Sequence, residues 1–168
     1  MLLLKSFSSA DFATLASWFS SEREAVQWGR PAVHFPLDNR QFEAMLEQSC
    51  GDRPSRLCWM AIRDEDRVGH AQLVFDWRNG VATLSRVAIA PNERSRGLSD
   101  RMLRLVLREA FAFPDIVRIE LNVYSWNKTA LNCYARLGFL VEGVRRSSAR
   151  VGDERWDTTI MALLRGEQ

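Results

Sequence analysis

The chain has 168 residues, of which 46% are apolar, 26% charged and 10% aromatic, a composition that fits one globular domain and excludes disordered and fibrous proteins. The 23 lysines and arginines against 21 aspartates and glutamates leave a net charge of only +2, too small for a general nucleic-acid or membrane-binding surface. We therefore expect a single domain over residues 1–168, with no nucleic-acid and no membrane partner.

The cysteines and the apolar start of the chain indicate its compartment. Cys50, Cys58 and Cys133 are odd in number and have no C-x-x-C or Cys/His spacing, so they predict reduced thiols rather than disulfides or a metal site. Apolar residues 1–4 are interrupted by Lys5, far short of a signal sequence or a membrane span. We expect a soluble, cytoplasmic protein without a metal. The sequence does not determine oligomeric state, and a homodimer stays open.

The first 50 residues predict one strand and two helices. Residues 2–7 have the pattern of a short strand, and Ser8 with Asp11 three residues later is typical of a helix start, with a helix to about residue 20. Residues 22–37 have no clean period and carry large side chains, glycine and prolines, so we expect a loop-rich segment and a candidate lid. Residues 42–50 predict the second helix.

The middle of the chain changes to a β pattern. Residues 57–63, 68–77 and 81–90 are β-rich runs, and short polar connections separate them. The second connection is Asn79-Gly80, the strongest short hairpin signal. We expect an antiparallel meander of three strands.

The second half of the chain alternates helices and strands. An amphipathic pattern predicts a helix over residues 98–113, and apolar alternation predicts a strand over residues 116–124. A second helix over residues 127–137 precedes a hairpin of residues 139–150 and 155–164.

The connection at residues 94–99 is the first candidate for chemistry. The free N–H groups and positive dipole end of a helix attract an anion, Gly97 and Ser99 are small, and Arg94 and Arg96 add charge. The alternative is an ordinary strand-to-helix turn with solvated arginines. A Walker loop is excluded because no Gly-Lys-Ser/Thr follows, and the glycine triplet of a dinucleotide fold is absent.

Arg94, Gly97 and Ser99 resemble motif A of the GCN5-related N-acetyltransferases, Arg/Gln-x-x-Gly-x-Gly/Ala. Ser99 stands where the family usually has Gly or Ala, and Ser95 replaces another frequent glycine. Both replacements are small.

A second segment matches the same family. Asn127, Ala130 and Tyr134, followed by Gly138-Phe139, are similar to the family's strand-Asn-x-x-Ala-x-x-x-Tyr-x-x-x-Gly-Phe pattern. Residues 142–146 and 156–164 are typical of the branches that act on ribosomal proteins and on amino acids. The chain is identified as a member of this family.

The resemblance implies an α/β (α+β) fold with a single mixed, mostly antiparallel sheet, splayed in the middle, and helices on both faces. It implies direct transfer of the acetyl group of acetyl-coenzyme A to a primary amine, which would be an amino acid, another small amine or a peptide N-terminus. The alternative is a non-catalytic acyl-coenzyme A sensor or interaction module with the same fold.

The resemblance also implies site residues. The pantetheine arm would pair with Val87, Ala88 and Ile89, and the pyrophosphate would sit on Arg94, Ser95, Arg96, Gly97, Leu98 and Ser99. Asn127 would lie on the cofactor side, and Tyr134 would be the catalytic donor to the leaving thiolate. From the residues alone, Asn127 is first a good helix N-cap, and the pattern favours Tyr134 as only a half-buried aromatic side chain.

The general base and the acceptor are less determined. A position often filled by Glu in the family falls at Thr83, which leaves His70, Asp76, Glu120 and Asp157, or a chain of waters. The family's acceptor wall would correspond to Trp28, His34, Phe35 and Trp156, with Arg146 and Arg150 nearby. Aromatic rings and arginines suit an amine that bears a carboxylate or an aromatic group; a peptide N-terminus also fits, and polyamines fit less well.

Overall fold

The computed structural model describes residues 1–30 and 32–167, and within them the chain forms one seven-stranded sheet with helices on both faces. The strands are β1 (Leu2–Ser6), β2 (Arg56–Arg63), β3 (Asp66–Asp76), β4 (Val81–Ile89), β5 (Arg118–Tyr124), β6 (Leu140–Val151) and β7 (Glu154–Leu164). The helices are α1 (Phe12–Ala16), α2 (Glu22–Gly29), α3 (Asn39–Glu47), α4 (Leu98–Ala112) and α5 (Lys128–Arg136).

The sheet has the strand order β1-β2-β3-β4-β5-β7-β6. Strands β2, β3 and β4 form the predicted antiparallel meander, and only β4 and β5 pair in parallel among the described strands. Gly80 turns the second connection with a φ of +66°, and its carbonyl accepts the backbone N–H of Val117 at 2.9 Å. The mixed, mostly antiparallel sheet confirms the predicted fold class.

The parallel pair separates halfway along its length. Val81–Leu84 pair with Arg118–Leu121, and no pairing with β5 continues beyond Leu84. Next to this point β4 bulges, because Ser85 lies opposite Gln72 and Ala88 lies opposite His70. Two residues of β4, Arg86 and Val87, therefore face one residue of β3, and Arg86 has a φ of +50°. The splay predicted from the resemblance is present.

Two apolar layers cover the two faces of the sheet. On one face α4 and α5 contribute Met102, Val106 and Leu137 to the larger core. On the other, α1, α2 and α3 contribute side chains such as Leu15 and Phe42. Alternating residues of β2 enter the two cores, as a strand buried on both faces requires.

The first third of the chain differs from the sequence prediction. Residues 22–37 were expected to be loop-rich, but Glu22–Gly29 form α2. The Ser21 side chain accepts the backbone N–H of Glu24, and two glutamates occupy the first turn, where they interact favourably with the helix dipole. Burial of one face of α2 further stabilises the helix. The helix expected to reach residue 20 is instead a 3-10 turn, Ser9–Asp11, followed by the short α1. The Ser8–Asp11 capping box is present.

None of the helices in the described ranges is long and apolar enough to cross a membrane.

Candidate active site

The separation of β4 from β5 opens a cleft of about 770 Å³. Residues 83–89 of β4 and the end of β5 form its walls, together with α2 and parts of α4 and α5. Because the strands no longer pair there, backbone N–H and C=O groups on one side of β4 are free to bind a ligand. The cleft thus has an unpaired strand edge at its centre.

The predicted pantetheine residues lie on this strand edge. Val87, Ala88 and Ile89 all line the cleft. The bulge interrupts pairing with β3 at Val87 as well as with β5. An extended ligand can therefore add to β4 as a further strand would.

The predicted phosphate loop follows β4 and leads into α4, a helix of 15 residues. Ser95 and Gly97 have φ values of +63° and +69°, and a Cβ at Gly97 would meet nothing within 4 Å. Arg94 and Ser99 line the cleft; Ser95, Arg96 and Gly97 are exposed between them, and Leu98 is buried in the core. The loop presents an open cradle at the positive end of α4.

Two arginines of this loop are held by the protein. Arg94 donates from Nε to the carbonyl of Ile89 at 3.3 Å, and an ion pair of 3.8 Å joins it to Glu24 of α2. Arg96 lies 3.5 Å from Glu93. Arg94 therefore connects the loop to α2, while the exposed Arg96 stays accessible to an anion.

The predicted residues of α5 also line the cleft. Asn127 is the N-cap of α5, and its Oδ1 accepts the N–H of Ala130 at 3.2 Å, so the N-cap interpretation is correct. Tyr134 is buried and packs edge-on against Phe139. Its hydroxyl has no hydrogen-bond partner among the described residues, and burial raises the pKa of Tyr134 above its usual value. Tyr134 stays protonated and can donate into the cleft.

The buried cysteines are not prepared to act as nucleophiles. Cys133 lines the cleft, and burial, followed by its hydrogen bond to Asp100, raises its pKa to about 12. Burial likewise raises the pKa of Cys58 to about 11. Both thiols remain protonated near neutral pH, which disfavours an acyl-cysteine intermediate and fits direct transfer.

The predicted acceptor residues do not all reach the cleft. Trp28 lines it. Trp156 is not a lining residue but packs against one, Tyr124, with 4.8 Å between ring centroids. His34 and Phe35 are exposed and are not among the lining residues. His34 is drawn to the start of α3 instead, because Gln41 hydrogen bonds to its backbone and Asp38 lies 3.7 Å from its ring.

The structure adds polar residues that sequence reasoning missed. Arg56 of β2, Ser85 and Arg86 of β4 and Tyr124 of β5 line the cleft on the side of α2. The signal for Arg86 was visible, since it interrupts the β-rich run of residues 81–90. A charge in such a strand is rarely buried without a ligand or a partner.

None of the four candidate bases lines the cleft, although Thr83 does. His70 is fully buried, and desolvation together with Arg86 lowers its pKa to about 3. The other three carboxylates serve neighbouring groups: Asp76 binds Asn79, Glu120 binds Arg118 and Asp157 binds the N–H of Ser147. Among the described lining residues Glu24 is the one carboxylate.

The described part of the chain contains no cluster of three or more His, Cys, Asp or Glu residues that could hold a metal ion.

Comparison with protein families and sequences gives consistent matches. A model of the acetyltransferase (GNAT) family matches residues 14–139. The L-amino acid N-acetyltransferase AaaT of Escherichia coli (strain K12) is 27% identical over 123 residues, which are 72% of this chain and 76% of that protein. A streptothricin acetyltransferase of Escherichia coli is 25% identical over 87 residues, 52% of this chain and 49% of that protein.

Solved structures share the fold. A spermidine N-acetyltransferase from Vibrio cholerae, solved with CoA and spermine, has a TM-score of 0.83 at 17% identity and is matched over 99% of this chain and 96% of that chain. The ribosomal-protein-S18-alanine N-acetyltransferase from Escherichia coli has a TM-score of 0.71 at 22% identity, over 98% and 94% of the two chains. At these identities the likeness shows the fold alone.

Proposed function

The chain belongs to the acetyltransferase (GNAT) family, and we propose that it transfers the acetyl group of acetyl-coenzyme A directly to a primary amine in the cleft between β4 and β5. The observation that carries this proposal is the splay itself. One cleft combines an unpaired strand edge, an open loop at the start of α4 and a polar chamber beside α2. A donor and an acceptor can meet there without a covalent enzyme intermediate.

The donor fits the cofactor side of the cleft. Val87, Ala88 and Ile89 would pair with the amides of the pantetheine arm, and residues 94–99 would receive the pyrophosphate at the positive end of α4. Asn127 would stay an N-cap that borders the same path. A backbone N–H at the bulge, at Val87 or Ala88, would polarise the thioester carbonyl.

The acceptor must lose a proton before it can attack. The described lining residues include four arginines, Arg30, Arg56, Arg86 and Arg94, but a single carboxylate, Glu24, which is paired with Arg94. Neighbouring positive charge lowers the pKa of an ammonium group, so the cleft favours release of that proton to water. Deprotonation of the acceptor then requires no dedicated general base.

The leaving thiolate needs a donor as the carbon–sulfur bond breaks. The Tyr134 hydroxyl is protonated, lines the cleft and has no partner among the described residues. Because burial makes this hydroxyl a weaker acid, we propose that Tyr134 keeps its proton and donates a hydrogen bond to the sulfur, which strengthens as negative charge develops there. The leaving thiolate then takes its proton from solvent.

A small amine is the proposed acceptor, and a peptide N-terminus is the second candidate. A homodimer stays a prediction for the assembly. Three free cysteines, one of them exposed, favour a reducing compartment, and we propose the cytoplasm.

The test is an amine panel of amino acids, polyamines, aminoglycosides and short peptides, with free thiol release and the mass of the acetylated product as readouts. We expect thiol release that depends on the amine. Tight binding of acetyl-coenzyme A, measured by calorimetry, with no release across the panel would instead support the non-catalytic sensor.

A further inference from the structure

Two arginines in the acceptor part of the cleft have no acidic partner. The guanidinium of Arg86 lies over the indole of Trp28, 5.5 Å from the ring centroid, and no described residue forms a hydrogen bond or an ion pair with it. Arg56 donates to the amide oxygens of Gln48 at 2.8 Å and Gln72 at 2.6 Å, again with no ion pair to a described residue. Both side chains are half-buried and both line the cleft.

This arrangement is costly without an anion. Burial, followed by the charge of Arg56, lowers the pKa of Arg86 to about 10, and burial also lowers the pKa of Arg56. Two partly desolvated positive charges without an acidic partner among the described residues are energetically unfavourable. A negatively charged ligand that contacts both would reduce this cost.

Two hydroxyl groups complete the same chamber. Ser85 Oγ and Tyr124 Oη are buried and have no hydrogen-bond partner among the described residues, and both residues line the cleft. Buried hydroxyls usually have a hydrogen-bond partner, which can be water or a ligand, so both groups are available to donate into the cleft. Two guanidinium groups and two hydroxyls are donors, and the two oxygens of a carboxylate offer about four acceptor positions.

We propose that Arg56 and Arg86 bind the carboxylate of the acceptor, so that the substrate class is an amine that carries a nearby carboxylate, as a free amino acid does. This inference rests on the proposed N-acetyltransfer and specifies its acceptor. Ser85 and Tyr124 complete the carboxylate site, and the acceptor amine then points along β4 to the bulge. The cation–π contact with Trp28 fixes the guanidinium of Arg86 in place.

The charges of the cleft argue against a polyamine. A polyamine has several ammonium groups, which require carboxylates, and the one described lining carboxylate, Glu24, is used by Arg94. Four lining arginines repel such a ligand. The proposed site for the phosphates of the donor is at residues 94–99. The phosphates therefore do not supply the missing acidic partner of Arg56 and Arg86.

The test compares acceptors that differ only in the carboxylate. Phenylalanine, methionine and leucine are each compared with their amide and with the corresponding decarboxylated amine, and spermidine is included. We expect kcat/KM to be at least about 100-fold higher for the best acid than for its two analogues, the loss typical of a charge-assisted contact. An α-amide has the less basic amine, so a preference for the acid cannot come from easier deprotonation.

The residues are tested with Arg86→Gln and, separately, Arg56→Gln. Each change should raise KM for the acid about 10-fold or more. It should lower kcat/KM for the amide much less, because the less basic amine of the amide depends less on the positive charge of the cleft, so that the preference for the acid collapses. Arg86→Lys should restore part of it. The affinity for acetyl-coenzyme A should not change. Arg101→Gln, on the exposed side of α4, is the matched control and should behave as the unmodified protein does.

The outcomes separate this inference from the proposed function. Equal use of acids and amides, or a preference for spermidine, overturns the carboxylate site and leaves N-acetyltransfer intact. Failure to acetylate any amine while acetyl-coenzyme A binds overturns the proposed function and the inference with it. The acceptor comparison uses the unmodified protein, so poor folding of one variant does not remove the test.

Discussion

The indole Nε1 of Trp28 donates a hydrogen bond to the backbone carbonyl of Arg86 at 2.8 Å, and the guanidinium of Arg86 lies over the same indole. One residue of α2 thereby holds both the main chain and the side chain of the β4 bulge. The two residues of the bulge, Arg86 and Val87, both line the cleft. We therefore expect Trp28 to position Arg86 in the proposed acceptor site.

Trp28→Phe tests this role. The ring stays apolar, but the hydrogen bond to the Arg86 carbonyl is lost, at a cost of about 1 kcal/mol of stability. We expect KM for the acceptor to rise about 5- to 10-fold while the affinity for acetyl-coenzyme A stays nearly unchanged. Steady-state kinetics and calorimetry measure the two quantities.

Trp18→Phe is the matched control. Trp18 is buried in the same apolar cluster as Trp28, and its indole N–H has no hydrogen bond to a described residue. We expect a loss of packing and a lower melting temperature without a change in the acceptor KM. An equal rise of KM in both variants would show that general packing, and not the contact with Arg86, sets acceptor binding.

The strands and helices after residue 57 could be predicted because local signals mark them. Asn79-Gly80 requires a hairpin, and the alternation of apolar residues gives β3, β4 and β5 nearly their observed bounds. The start of α2 carried a signal too, since Ser21 and Glu24 have capping-box spacing. The prolines and large aromatic residues of the following segment obscured it.

The acceptor chamber could not be predicted in the same way. Arg56 and Arg86 are 30 positions apart, and their approach depends on the register of β2, β3 and β4 and on the bulge opposite Ala71. His34 was expected in the wall because the family resemblance places its segment there, whereas its backbone hydrogen bonds to Gln41 hold it beside the start of α3. Strand register decides the first case, and a contact within the segment decides the second; the resemblance contains neither.

Gly97→Val tests the phosphate cradle. Gly97 has a φ of +69°, which a β-branched residue adopts only at a cost of about 1–3 kcal/mol, and the new side chain would fill the space open to the phosphate. We expect binding of acetyl-coenzyme A to fall at least about 100-fold by calorimetry.

Gly152→Val is the control that separates the effect of backbone strain from the loss of the phosphate site. Gly152, in the turn between β6 and β7, has a φ of +58°, and a Cβ there also meets nothing within 4 Å. The two variants should lose similar stability, but only Gly97→Val should lose the donor. Unchanged affinity in a folded Gly97→Val protein would place the pyrophosphate elsewhere.

His70 should make the protein sensitive to acid. Burial and the charge of Arg86 hold its pKa at about 3, with Arg56 adding to the decrease and Asp11 opposing it. In the unfolded chain the pKa of a histidine is about 6.5, so the unfolded state binds more protons as pH falls below that value. Stability from this group is complete above pH 6.5 and decreases on acidification, by about 1.4 kcal/mol at pH 5.5.

His70→Gln should remove that component from the pH dependence of denaturant unfolding. The kcat/KM profile of His70→Gln should keep the shape of the unmodified profile, because His70 does not line the cleft. If His70→Gln instead removed the acidic decrease from the kcat/KM profile, His70 would act on the acceptor.

Tyr134→Phe tests the leaving-group donor. The hydroxyl has no partner among the described residues, so its removal should change the melting temperature little, whereas a tyrosine with a buried hydrogen bond would lose roughly 1 kcal/mol. At saturating donor and acceptor we expect kcat to fall on the order of 10²-fold with the affinity for acetyl-coenzyme A nearly unchanged. Because its pKa is raised, Tyr134 stays protonated, and kcat of the unmodified enzyme should show no alkaline decrease from this group below about pH 10.

Tyr124→Phe makes the same chemical change on the other side of the cleft. Its hydroxyl is also buried and has no hydrogen-bond partner among the described residues, but Tyr124 lies on β5, where it lines the cleft and packs with Val26 of α2 and Trp156. Removal of this hydroxyl should therefore raise KM for the acceptor and leave kcat nearly constant, the reverse of the effect at Tyr134. If Tyr134→Phe retains full kcat while Tyr124→Phe loses it, the two tyrosines have exchanged roles. If both retain it, water alone protonates the leaving thiolate.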